Sequence, residues 1–194
     1  MSAIPVPHLT PSQYLEIERA AETKSEYFDG GMFAMSGGLL PHALISTALL
    51  RELDVALDGR KCSTAGSDLR VGVSKQGPFF YPDVSVHCGD AELADDWKDT
   101  LLNPILIIEV LSPSSEAFDR GKKFAAYRRI PALREYVLVS QTEPSVEVYS
   151  KGPAEAWTFT EFAGLQSVCA LQSLGLEVPL TAIYRRVPLG SASA

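Results

Sequence analysis

The strongest constraint in this chain is an apolar run with one charge inside it, Ile105-Leu106-Ile107-Ile108-Glu109-Val110-Leu111. An apolar residue at nearly every position predicts a strand covered on both faces. Strand side chains alternate, so Ile105, Ile107, Glu109 and Leu111 share one face, and Leu106, Ile108 and Val110 the other. Neither face is wet, so Glu109 is expected to be buried. An ionised carboxylate taken out of water without a partner costs several kcal/mol or takes up a proton. Two compensations are open: a divalent cation shared with a second acid, or an ion pair with a buried arginine such as Arg70.

Asp83 is the candidate second acid. Pro82 ends hydrogen bonding on its side, so Pro82-Asp83 suits the start of a strand through Val84-Ser85-Val86. If this strand neighbours the Glu109 strand, the two carboxylates converge at one end of the sheet. Hard oxygens placed so suit Mg²⁺ or Mn²⁺, with water or a substrate phosphate completing the octahedron. A helix over about 116–129 follows directly, and Asp119, Lys123 and Tyr127 lie on one of its stripes. A Lys123 ammonium reaching the acids is able to orient or deprotonate a water, or to stabilise charge on phosphate. Lys122 lies about 100° round the helix and is the weaker candidate. Tyr127 is expected to pack.

The 194 residues suffice for one domain spanning 1–194, with a core at roughly 10–185 and a frayed tail at 190–194. Thr10-Pro11 starts a helix running to about Thr23. Glu26 to Met35 reads as a hairpin turned at Asp29-Gly30-Gly31, and Pro41 to about Leu57 as a helix. Strands are expected at 68–74, 79–87, 105–111, 135–140, 145–149, 156–162 and 166–169, and a short closing helix at 179–185. The acidic stretch 89–103 reads as a mobile surface loop. This order predicts an α/β chain of α+β type: a central mixed sheet flanked by helices, with an N-terminal helix and hairpin.

Cys62, Cys88 and Cys169 are odd in number and far apart, with no CxxC. That argues against a disulfide framework or a cysteine zinc site and fits a reducing cytosol. No apolar run approaches the ~18 residues needed to cross a membrane, and residues 1–7 lack a signal-peptide pattern. A soluble cytoplasmic protein is expected. The formal net charge of −7 opposes nucleic-acid binding unless cations gather locally. Residues 119–134 do gather them, with Arg120, Lys122, Lys123, Arg128, Arg129 and Arg134. There is no GxSxG elbow for a serine hydrolase and no glycine-rich phosphate loop. His87-Cys88 lacks partners at zinc spacing.

Pro82-Asp83, the run Ile107 to Ser114, and Asp119-Arg120-Gly121-Lys122-Lys123-Phe124-Ala125-Ala126-Tyr127 together resemble the Uma-type endonuclease family, long labelled a domain of unknown function. Ser25 to Gly30 and Pro131 to Val139 share the likeness, which covers roughly residues 10–185. That family belongs to the PD-(D/E)xK, or restriction-endonuclease-like, superfamily. The resemblance implies a restriction-endonuclease-like core, with Asp83 and Glu109 as metal-binding acids and Glu26 completing the site. Leu111 stands where the superfamily has its strand lysine, and the resemblance transfers that role to Lys123 on the following helix. His42, where the family often has histidine, is a candidate accessory contact to phosphate or metal, or a capping residue. Asp68 is a further accessory candidate, or caps a turn.

The expectation is a Mg²⁺- or Mn²⁺-dependent endonuclease acting on DNA, with a homodimer plausible for double-strand cleavage. The alternative is a catalytically silent binding or regulatory module on the same fold.

Overall fold

The computed structural model describes residues 8–189. The tail expected to fray, 190–194, and the leading segment 1–7 lie outside the described residues. Helix α1, Pro11–Ala20, opens with a reciprocal cap. The Thr10 hydroxyl accepts from the Gln13 N–H, and the Gln13 side chain accepts from the Thr10 N–H. Strands β1, Ser25–Phe28, and β2, Gly31–Ala34, form the hairpin. Asp29 and Gly30 turn it with φ of 49° and 73°, the twist a two-residue hairpin loop needs. Helix α2, Leu40–Ala56, follows.

The remaining strands are β3 Cys62–Gly66, β4 Arg70–Gly72, β5 Phe79–Phe80, β6 Val84–Cys88, β7 Thr100–Leu101, β8 Leu106–Leu111, β9 Glu135–Ser140, β10 Ser145–Lys151, β11 Trp157–Ala163, β12 Val168–Leu171 and β13 Leu176–Pro179. They form a six-stranded sheet ordered β11-β10-β9-β8-β6-β3, a five-stranded sheet ordered β2-β1-β5-β4-β7, and the pair β12-β13. In the larger sheet β8 runs parallel to β9 and antiparallel to β6, so the sheet is mixed as expected.

The alternation along β8 sorts the two cores. Leu106, Ile108 and Val110 pack with Ile45, Leu49 and Leu53 of α2 and with the short closing helix Leu180–Ile183. Ile107 and Leu111 pack on the other side with Val71, Phe80, Tyr127, Ile130 and Leu133. Each buried aliphatic side chain of this kind contributes roughly 1.5–3 kcal/mol, so the faces of β8 are fixed, and Glu109 with them.

The helix after β8 is composite. It comprises Glu116–Phe118, a wide turn Asp119–Lys123 and Phe124–Tyr127. The wide turn is of π type: the Phe124 N–H donates to the carbonyl of Asp119, five residues back. Such turns often mark functional positions.

Three expectations are corrected. β3 pairs with β6 in a register that sets Cys62 opposite Cys88, and the two form a disulfide across 26 residues of sequence. Their distance in the sequence hid that pairing, because β3 itself carries little apolar alternation. Cys169 stays free in the core, where burial pushes its thiol up to about 12. The segment 89–103 is tied down rather than loose. Leu93 bridges to Leu101, β7 runs parallel to β4, and Arg19 binds Asp95 and Asp99 at 2.7 and 2.8 Å. Arg70 does not compensate Glu109. It is buried against Asp99 at 2.8 Å, Thr100 and Tyr81. Burial works against the Asp99 carboxylate, but Arg19, Arg70 and Thr100 outweigh it and hold Asp99 well below the usual carboxylate range.

Candidate active site

The antiparallel register pairs Val84 with Ile108, so the residue before Val84 lies beside Glu109. Asp83 Oδ2 accepts the Val110 N–H at 2.7 Å, which fixes it against β8. His42, in the first turn of α2, brings Nε2 to 3.3 Å from the same oxygen. The Asp83 contact outweighs burial and raises the imidazole above its ordinary pKa.

Glu109 is 4% exposed. Its Oε1 lies 3.2 Å from Lys123 Nζ and accepts the Tyr127 hydroxyl at 3.2 Å. Burial, first of all, lifts Glu109 well above the carboxylate range. Lys123 opposes that shift, while Asp119, Asp83 and Glu26 add to it.

Glu26 enters from β1 in the other sheet. It accepts the Tyr81 N–H at 3.2 Å and sits 2.8 Å from Lys123 Nζ. Glu18 steadies this strand, accepting the Ser25 N–H at 3.0 Å and the Tyr81 hydroxyl at 2.9 Å.

Lys123 is therefore the hub. Its ammonium faces Glu26, Glu109 and, at 3.3 Å, Asp119. Burial disfavours that charge, but the three carboxylates together outweigh it and hold the lysine above its ordinary pKa. The stripe Asp119, Lys123, Tyr127 delivers all three side chains because their helix packs on the Glu109 face of β8.

Glu26, Asp83, Glu109, Asp119 and Lys123 line one cavity of about 690 Å³, with His42, Lys122, Ser112, Ser114 and Gln141 around it. Lys122 holds its ammonium 5.7 Å from the centre of the Phe28 ring. Asp68 is not part of this cavity. Its side chain is 99% exposed and pairs with Lys24 at 2.6 Å. Sequence reasoning missed Asp119 as a member of the cluster and the hydroxyl of Tyr127 as a donor to Glu109. The four-residue spacing was the available signal for both.

Among the described residues, no group of three or more His, Cys, Asp or Glu forms a ready metal cage. The Lys123 ammonium stands among the acids instead. The donor set still suits a hard divalent cation. Four carboxylates, Glu26, Asp83, Glu109 and Asp119, face the cavity against one buried lysine, and Asp119 Oδ1, apart from its 3.3 Å ion pair with that lysine, has no hydrogen-bond partner among the described residues. The excess of buried negative charge is what a cation would relieve.

The gathered basic stretch brings two of its cations to the cavity. Arg120 is spent on Glu116 at 2.7 Å and on Glu147, and Lys123 is enclosed. Of that stretch, Lys122 and Lys123 line the cavity.

A mixed sheet bearing acids at neighbouring strand ends, with helices on its faces, is a restriction-endonuclease-like fold. It superposes on a crystal structure from Anabaena variabilis described as "a putative nuclease belonging to DUF820", with a TM-score of 0.75 at 18% identity, covering 91% of this chain and 98% of that one. The chain belongs to the Uma2 family, described as "Putative restriction endonuclease", whose model matches residues 11–181. Two proteins of Synechocystis sp. are similar over most of their length. The uncharacterised protein slr1290 is 38% identical over 183 residues, 93% of this chain and 94% of its own. The uncharacterised protein sll1609 is 36% identical over 156 residues, 80% of this chain and 88% of its own. Among the described residues no helix is long and apolar enough to cross a membrane.

Proposed function

We propose that the protein is a nuclease that hydrolyses phosphodiester bonds of DNA with a bound Mg²⁺ or Mn²⁺. One observation carries this reading. Glu26 from β1 and Glu109 from β8, strands of two different sheets, meet the Lys123 ammonium in a cavity that Asp83, just ahead of β6, also lines. Membership of a family described as endonucleases supports it.

Asp83 and Glu109 would hold the ion, with Glu26 completing the set. When bound, the ion would polarise the scissile phosphate and lower the pKa of a water nucleophile. The chain's own groups do the rest. Val110 N–H and His42 fix the orientation of Asp83. The Lys123 ammonium orients the attacking water or stabilises charge on the phosphate as it builds. Tyr127 holds the second carboxylate by its hydroxyl. Glu26, Glu109 and Lys123 are each less than a tenth exposed, and that burial strengthens their interactions.

A second reading is a catalytically silent binding or regulatory module. It is favoured by the ammonium already engaging Glu26, Glu109 and Asp119. The two separate in a Mg²⁺ and Mn²⁺ titration against a panel of DNA and RNA substrates. The nuclease cuts at least one substrate only with metal, and Asp83→Ala and Lys123→Ala lose roughly 100-fold or more. Metal binding that Asp83→Ala leaves unchanged, with no substrate cut, rejects the site.

A further inference from the structure

The mouth of the cavity carries an aromatic surface that neither the two cores nor the proposed chemistry uses. Phe33 pairs directly with Glu26 across the β1–β2 hairpin, so the two side chains share one face of the strand pair. The Phe33 ring is 53% exposed and lines the same cavity as the acids. It lies back over Gly31, where a Cβ would come within 2.9 Å of it, and its centre is 6.4 Å from that of Phe118. Met35 and Leu39 continue the apolar rim, at 36% and 66% exposed.

The same cavity carries a cation besides Lys123. Lys122 lines the cavity wall over Phe28 and forms no ion pair among the described residues. An aromatic face and an ammonium lining one cavity with the proposed catalytic acids match the two parts of a nucleotide, base and phosphate.

The depth of the acids selects among nucleic acids. Glu26, Glu109 and Lys123 are each less than a tenth exposed. A scissile phosphate must therefore enter the cavity to reach them. A duplex, stiff over ~150 base pairs, holds its phosphates on a rigid outer surface, whereas an unpaired strand can bend its backbone inward. The charge balance agrees. At the cavity, where the acids outnumber Lys122 and Lys123 and Arg120 is tied to Glu116 and Glu147, counterion release contributes little. Affinity must come from a term that does not depend on charge, and base stacking is one.

We propose that the site takes single-stranded or locally unpaired nucleic acid, with one base stacked on Phe33 and the adjoining phosphate held by Lys122. This deepens the nuclease reading and rests on it for the position of the scissile bond. Phe33 is a binding residue that sets specificity, and it takes no part in proton or phosphate chemistry.

The test is fluorescence anisotropy with the full chain and one labelled sequence offered as single strand, hairpin with an unpaired loop, and blunt duplex, without divalent metal. The single strand should bind about tenfold or more tighter than the duplex. Phe33→Ala should weaken that binding about tenfold, and Phe33→Trp should retain it. Lys122→Ala should weaken it and flatten its salt dependence. Equal affinity for strand and duplex, an unchanged Phe33→Ala, or no binding to any of the three overturns the proposal. So does a Phe33→Ala protein that changes from dimer to monomer by light scattering without losing strand affinity, because the rim is then a contact between copies. Adding Mg²⁺ separates the two readings. Strand-selective binding with no cleavage rejects the nuclease and leaves the stacking surface, whereas strand and duplex cut alike, with Phe33→Ala unaffected, rejects the stacking surface alone.

Discussion

The Lys123 ammonium lies 3.2 Å from the Glu109 carboxylate, both more than nine-tenths buried, on a helix and a strand separated by 14 residues. Glu26 and Asp119 crowd the same ammonium at 2.8 and 3.3 Å. Removing the lysine strands three acids in a low-dielectric pocket. Lys123→Met should therefore destabilise the metal-free protein by about 3–5 kcal/mol, read by urea unfolding. Millimolar Mn²⁺ should restore more stability to this variant than to wild type, since ion and ammonium compete for the same oxygens. A variant as stable as wild type contradicts the hub role.

Glu109→Gln acts in the opposite direction. It replaces a carboxyl that burial and the neighbouring acids already push toward its neutral form, and it leaves Lys123 paired with Glu26 and Asp119. Thermal unfolding without metal should show an unchanged or higher Tm. A sharp fall would make Glu109 a structural ion-pair partner instead.

Tyr127→Phe deletes only the hydroxyl that donates to Glu109 inside a fully buried site. Leaving a buried acceptor without its hydrogen bond costs about 1–3 kcal/mol, so calorimetry should show a lower Tm with the fold retained. If Tm does not move, the hydroxyl does not support the carboxylate.

Asp99 sets a pH dependence away from the cavity. Its carboxyl is held below its unfolded value by Arg19, Arg70 and Thr100 against the cost of burial. Its stabilising effect is complete above the unfolded pKa of about 3.9 and is lost as pH falls through the depressed folded value. Wild type should lose stability on acidification through that window, and Asp99→Asn should lose less over the same range while starting lower at pH 7. Parallel pH profiles for the two proteins contradict the assignment.

Much of the fold is written in local pattern. The apolar alternation of β8 assigns its faces, Thr10-Pro11 marks the start of α1, and Asp29-Gly30 names the hairpin turn. These depend on neighbours within a few residues, where spacing carries the physics. The Cys62–Cys88 bridge, the Arg19–Asp99–Arg70 clasp and the Glu18–Tyr81 support of β1 join residues 26 to 80 positions apart. No periodicity encodes such contacts, so a polar 89–103 looks loose and β3 passes unnoticed. The candidate site divides the same way. The stripe of Asp119, Lys123 and Tyr127 follows from helical spacing, whereas the family likeness, with Leu111 at the usual lysine position, implies the helix as the source of the lysine. Glu26, brought from the other sheet, is visible only through the family likeness, and Asp119 joins the cluster only once the helix has packed.

The central claim is that these carboxylates form a metal site serving phosphodiester hydrolysis. Its most direct measurement is a calorimetric Mn²⁺ titration of wild type, Asp83→Asn and Glu26→Gln, with cleavage of a single-stranded oligonucleotide followed in the same samples. The account predicts saturable binding and metal-dependent cutting by wild type, and loss of roughly 100-fold or more in cutting with weakened binding in both variants at unchanged fold. Identical Mn²⁺ binding in all three proteins, with no strand cut by any, would contradict it.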